Sequence, residues 1–110
     1  MPNPLVHFDI HGADEPALHR FYGEELGWNV EPKGPGYALI GTGGEGPDGA
    51  IVEGAEAAIV VGVGVDDLEA AVGRLSSLGG TVEMPPTDNG WVVKAAVRDP
   101  AGNLITLIQR

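Results

Sequence analysis

Residues 14–31 read DEPALHRFYGEELGWNVE, and residues 66–83 read DDLEAAVGRLSSLGGTVE. Laid over one another at one constant step, they match Asp14 with Asp66, Leu26 with Leu78, Gly27 with Gly79, Val30 with Val82 and Glu31 with Glu83. Each stretch has the grammar of a helix followed by a strand. Asp14 and Asp66 are N-cap residues, because a short carboxylate accepts hydrogen bonds from the unpaired amides of a first helical turn. Pro16 sits in that turn, where its missing N–H costs little. Glu69, three residues after Asp66, extends that cap into a variant of the capping box. Leu18, Phe21, Tyr22 and Leu26 recur at three- and four-residue spacing, as do Leu68, Ala71, Val72, Leu75 and Leu78, so each helix is expected to bury one stripe. Gly27 and Gly79 supply the left-handed residue that ends a helix. His19 falls on the other side of its helix and is expected at the surface.

The repeat organises the rest of the chain. LVHFDIH (5–11) alternates: Val6, Phe8 and Ile10 point one way, and Leu5, His7, Asp9 and His11 the other. Period two marks a strand with one face on a core. Strands are expected at 28–31, 37–40 and 50–53, separated by turns rich in Gly and Pro. Gly41, Gly43 and Gly46 have the G-x-G-x-x-G spacing, but Pro47, Asp48 and Gly49 follow where a dinucleotide fingerprint would need a helix. AIVVGVGV (58–65) starts the pattern again, and strands are expected at 81–84, 91–98 and 103–108. The chain is thus β-α-β-β-β twice. Each four-stranded sheet carries its helix on one face. Burying the other face by curling one module beside the other would create a shared cleft.

The 110 residues suit one domain with a core of its own, and 43% are apolar. Six Lys and Arg stand against 16 Asp and Glu, a formal charge of −10. That balance argues against nucleic acid and anionic membranes as partners. Its plain meaning is solubility; its sharper one is attraction for cationic small molecules. The absence of cysteine removes disulfides, thiolate metal sites and cysteine nucleophiles. Ser76 and Ser77 are the only serines and fall in a predicted helix, which argues against a Ser-His-Asp hydrolase. No apolar run approaches the roughly 18 residues that span a bilayer, and the start lacks a signal-peptide pattern, so a cytoplasmic protein is expected.

VHFDI, FYGEELGW, VGVDDLEAAVGRLSSLGG and DPAGNLITLIQ, in that order, resemble the vicinal oxygen chelate superfamily, which includes glyoxalase I, type I extradiol dioxygenases and bleomycin-resistance proteins. The resemblance covers nearly the whole chain. It implies an α+β fold of two tandem βαβββ modules, about 1–55 and 56–110, forming a concave, barrel-like cleft within one domain at 1–110. It also implies a homodimer.

In metal-dependent members, as the resemblance implies, the first and last strand of each module supply ligands, usually His or Gln, Glu, His and Glu. Here those positions fall on His7, on or near Glu53, on Val60 (or Ile59) and on Thr106. Metal sites of this type want at least three nitrogen or carboxylate donors, and His7 with Glu53 makes two. The expectation is therefore a small-molecule-binding protein without a complete metal site and with no cofactor. The expected cleft residues are His7, Asp9, Glu53, Val60, Trp91, Leu104 and Thr106. The alternative is a metal-dependent lyase, isomerase or dioxygenase resembling glyoxalase I, with Zn, Ni, Mn or Fe held by His7 and Glu53, which would then be its catalytic residues. His7 as a metal-free general base is a third possibility, and whether the chain is an enzyme stays open. The plainer readings are a hydrogen-bonded His7, a solvent-exposed Glu53, and Trp28 and Trp91 as core or wall.

Overall fold

The computed structural model describes residues 2–110. Two strand-helix-strand-strand-strand modules form two compact units, Val6–Val60 and, together with residues 2–5, Val61–Arg110. The first contains β1 (Leu5–Gly12), α1 (Glu15–Arg20), β2 (Asn29–Gly34), β3 (Tyr37–Gly41) and β4 (Asp48–Glu53). β5 (Ala58–Val65) leads into the second, followed by α2 (Leu68–Leu75), β6 (Thr81–Asp88), β7 (Val93–Arg98) and β8 (Leu104–Gln109). This is the expected α+β architecture.

In the first module the strand order is β2-β3-β4-β1, with β1 parallel to β4 and the other pairs antiparallel. Phe8 and Ile10 face α1 and share a core with Ala38, Ile40, Ile51, Leu18, Tyr22, Trp28 and Val30. Trp28 stacks on Tyr22 at 5.5 Å and meets Phe8 at 5.7 Å. Asp14 caps α1, its side chain accepting from Ala17 N at 3.1 Å. The helix then widens into a π-helical turn over Phe21–Glu25. The wider turn shifts the phase of the stripe, and Phe21 and Leu26 emerge exposed instead of buried. His19 is also not free at the surface: its side chain lies mostly covered, with Nε2 3.3 Å from Glu15 Oε1.

The second module repeats the order as β5-β8-β7-β6. Val65, Leu68 and Ala95 form its buried centre, flanked by Val63, Ala71, Val72, Val93 and Leu107. The cap falls one residue later than expected. Asp67, not Asp66, accepts from Ala70 N at 3.1 Å, while Asp66 accepts from Arg110 Nε at 2.9 Å. The Gln109 side chain reinforces the helix start by accepting from Leu68 N at 2.9 Å and donating to Asp66 O at 2.6 Å. Leu78 lies in the closing 3₁₀ turn (Ser76–Leu78) and is exposed. Gly79 takes the left-handed conformation (φ 91°), as does Gly27 (φ 70°). Before β8, Asp99 accepts from Asn103 Nδ2 and from the amides of Asn103 and Ala101, all at 2.9 Å. The Asn103 bonds hold its carboxyl below the usual range.

The edge strands β2 and β6 carry Pro32, and Pro85 with Pro86, and both pair irregularly with their neighbours.

One glycine is dictated by contact. A Cβ on Gly49 would stand 2.5 Å from Phe8 O and 2.7 Å from the Phe8 ring. Gly49→Ala is expected to destabilise the chain by about 1–3 kcal/mol through overpacking. Ile51→Ala, at a fully buried position, should cost about 2–5 kcal/mol. Urea unfolding curves check both; midpoints equal to the parent's would contradict this packing.

Candidate functional site

Because Phe8 and Ile10 face α1, strand alternation turns His7, Asp9 and His11 to the opposite, open face of the first sheet. Register then identifies what else lies there. His7 pairs with Asp48, Asp9 with Ala50 and His11 with Val52 across β1 and β4. Leu39 pairs with Ala50 and Tyr37 with Val52 across β3 and β4. Asn29 and Glu31 continue these rows on β2. His7, Asn29, Glu31, Leu39 and Asp48 line a depression of about 330 Å³ on this face.

His7 and Asp9 form a pair, with Nε2 2.8 Å from Asp9 Oδ1. In the neutral ring Nε2–H donates to the carboxylate, and Nδ1 is left as the acceptor. Asp48 is committed to the adjacent loop, accepting from Thr42 N at 3.0 Å and Thr42 Oγ1 at 3.3 Å. Glu31 holds Lys33 at 2.7 Å. Tyr37 is half-buried; burial first, and then the charge on Asp9, raise its phenol above its ordinary value. The face therefore offers an oriented imidazole, a phenol kept as an O–H donor, and the apolar side chain of Leu39.

Glu53 does not join His7. Its register partner is Gly12, on the α1 side of the sheet. Glu53 Oε2 and Glu15 Oε2 lie 3.5 and 4.0 Å from the point where a Gly36 Cβ would stand, so Glu53 lies beside the start of α1. Val52 takes the open-face position at the end of β4, and it has no donor atom. Val60 is buried, and Ile59 is exposed. Trp91 is not a strand residue. It sits in the β6–β7 turn, where Asn89 Oδ1 accepts its amide at 2.9 Å, and it is 86% exposed.

On the second module, Val93, Ala95 and Leu107 face α2, which turns Lys94, Ala96, Leu104, Thr106 and Ile108 to its open face. Leu104 and Thr106 thus share an apolar and hydroxyl-bearing surface. The sequence reading missed Lys94, Tyr37, Glu31 and Asp48. Lys94 could have been found from the VVKAAVR alternation alone; the other three needed the register.

A family model described as a glyoxalase-like domain matches residues 5–108. The chain belongs to this family. Among solved structures, this glyoxalase-like domain is similar to a glyoxalase/bleomycin resistance protein/dioxygenase superfamily member from Vibrio splendidus 12B01, with TM-score 0.76, 16% identity, and 99% and 100% of the two chains covered. It is similar to the Mn(II)-bound glyoxalase from Novosphingobium aromaticivorans, with TM-score 0.72, 18% identity, 97% of this chain and 38% of that one. It is also similar to an extradiol ring-cleaving dioxygenase from B. fuscum, with TM-score 0.77, 19% identity, 99% of this chain and 34% of that one. No curated protein matches. Members of this fold thus include metal-bound proteins, but this chain's donor set does not fit such a site. At the four positions the family resemblance assigns to ligands stand His7, then Val52 or Glu53 on opposite faces, Val60 or Ile59, and Thr106, so that two of the four carry a nitrogen or carboxylate donor at most. Among the described residues no three His, Cys, Asp or Glu cluster as a metal site would require.

Asp9→Asn should lower the Tyr37 pKa only part of the way to its ordinary value, because burial is the larger cause. Tyrosine ring-carbon NMR shifts followed against pH measure it; an unmoved Tyr37 would mean the two groups do not sense each other. A raised phenol keeps its proton longer in the folded chain. Its contribution to stability is therefore full below the unfolded value of about 10 and lost as pH rises through the folded one.

Proposed function

We propose that this glyoxalase-like domain binds a small organic molecule in its cleft without a complete metal site. The observation that carries this reading is the open face of the first module. There, His7, Asn29, Glu31, Leu39 and Asp48 line a depression with the volume of a small-ligand site. Its polar groups sit over apolar side chains, and Asp9 fixes the His7 ring through Nε2, leaving Nδ1 as an acceptor for a ligand's donor group. His7 and Asp9 orient the ligand by hydrogen bonds, while Leu39 and Val6 receive its apolar part. The net charge of −10 favours a cationic group on a ligand held at this face. A homodimer and a cytoplasmic location complete the reading. Among the described residues no helix is long and apolar enough to cross a membrane.

The second reading, a metal-dependent lyase, isomerase or dioxygenase, is favoured by the Mn(II)-bound relative. Elemental analysis of freshly purified protein, with thermal shift against Zn²⁺, Ni²⁺, Mn²⁺ and Fe²⁺, separates the two. The proposal expects substoichiometric metal and no saturable stabilisation. A stoichiometric ion lost in His7→Ala would replace it with the second reading. A panel of small cationic and aromatic compounds should give saturable amide shifts in two-dimensional NMR spectra at residues of β1 and β4, weakened in His7→Ala. A panel without saturable binding anywhere on the chain would overturn the proposal, and size-exclusion chromatography showing only monomer at high concentration would remove the dimer.

A further inference from the structure

The distribution of positive charge singles out one residue. Of six Lys and Arg, four end in exposed or half-exposed ion pairs: Arg20 with Glu24, Lys33 with Glu31, Arg98 with Glu83, and Arg110 with Asp66. Arg74 is exposed on α2. Lys94 differs from all of these. It is half-buried near the start of β7, its neighbours Val93 and Ala95 face α2, and no carboxylate of its own module pairs with it. Acids outnumber bases by 16 to 6 in this chain, so an unpaired lysine within its module is not explained by a shortage of partners.

Register describes its surroundings. Thr87, Lys94 and Ile108 form one row across β6, β7 and β8, and Met84, Ala96 and Thr106 form the next. On β5 these rows end at Gly64 and Gly62, which carry no side chains and are buried beside Ile108 and Thr106. The Thr87 hydroxyl is spent on Pro85 O at 2.8 Å. The Thr106 hydroxyl, diagonal to Lys94 on the adjacent strand, has no hydrogen-bond partner in its module. A half-buried lysine beside Met84, Ala96 and Ile108 holds an unpaired charge at the border of an apolar surface, where a charge-assisted contact with an anion is stronger than in open water. A donor pair of ammonium and hydroxyl beside apolar side chains matches a carboxylate attached to an apolar body.

We propose that Lys94 is the anion-binding residue of a ligand site on the open face of the second module, and that the ligand is a small organic carboxylate. Its charged end meets Lys94 and Thr106, and its apolar body lies over Met84, Ala96, Leu104 and Ile108. This rests on the reading that the domain takes up small molecules, and it adds to the cationic preference inferred from net charge a local preference of opposite sign.

The test uses the full chain and three probes of one shape: 2-naphthoate, neutral 2-naphthamide and 2-naphthylmethylammonium. Affinity is read by calorimetry and location by amide NMR shifts. Naphthoate should bind about tenfold tighter than naphthamide, the size of one charge-assisted contact, and should shift the amides of Lys94, Ala96 and Thr106. Lys94→Met should abolish the difference between naphthoate and naphthamide and leave naphthamide binding within about twofold; Lys94→Arg should keep the difference. Spectra of both variants report whether the sheet is intact, and the arginine variant decides if the methionine variant is not. Equal affinities in the parent, tighter binding of the ammonium, or a naphthoate preference that survives Lys94→Met would overturn the proposal. Binding that maps to His7 and Asp48 alone would overturn it and leave the small-molecule reading standing. No binding by any of the three would count against both.

Discussion

The contact between Phe8 and Gly49 governs much of what the first module can do. Gly49 leaves room for the Phe8 carbonyl and ring at distances no Cβ would tolerate. That approach fixes β1 against β4 in one parallel register, with Phe8 opposite Gly49 and Ile10 opposite Ile51 on the helix side. A slip of one residue would exchange the two faces. It would turn Phe8 out if β1 moved, or bring Glu53 to the open side if β4 did. Packing therefore chooses, before any chemistry, that His7 meets Asp9 and that Glu53 meets the start of α1.

The two modules share a topology and differ in what they display. The first module's open face carries His7, Asp9, Glu31 and Asp48, all but His7 acidic. The second carries Lys94, and Arg98 neutralised by Glu83, among aliphatic and hydroxyl side chains. Duplication preserves the helix-side pattern because that face must be apolar to fold. The open face is under no such demand, and it is where the two copies diverge. In a fold shared with a Mn(II)-bound glyoxalase and an extradiol dioxygenase, the choice of chemistry is left to such positions.

The architecture was legible because its signals are local and repeated. Alternation in residues 5–11 and 58–65, capping aspartates, and Gly27 and Gly79 each act within a few residues of chain. What escaped depends on distant partners or on small backbone adjustments. The π-helical turn at Phe21–Glu25 is invisible to a period of 3.6 and carries Phe21 and Leu26 to the surface. Two adjacent aspartates are candidates for one cap; Asp67 takes it, and Asp66 instead meets Arg110, far along the chain. The sequence leaves the register at Glu53 open by one or two residues, and one residue is the difference between the two faces of a sheet. Trp91 lies past the hairpin reversal, where Asn89 folds the backbone outward. His7 and Asp9 were both named; their direct hydrogen bond needed rotamers, which a sequence does not carry.

The prolines of β2 and β6 have a consequence for association. Each module has an edge strand that lacks amide hydrogens, at Pro32 or at Pro85 and Pro86, and whose pairing is already irregular. A neighbouring polypeptide seeking to extend either sheet would find gaps in the ladder it needs. These rims act as stoppers against edge-to-edge polymerisation, a protection that matters for a chain with so much of its length in strands.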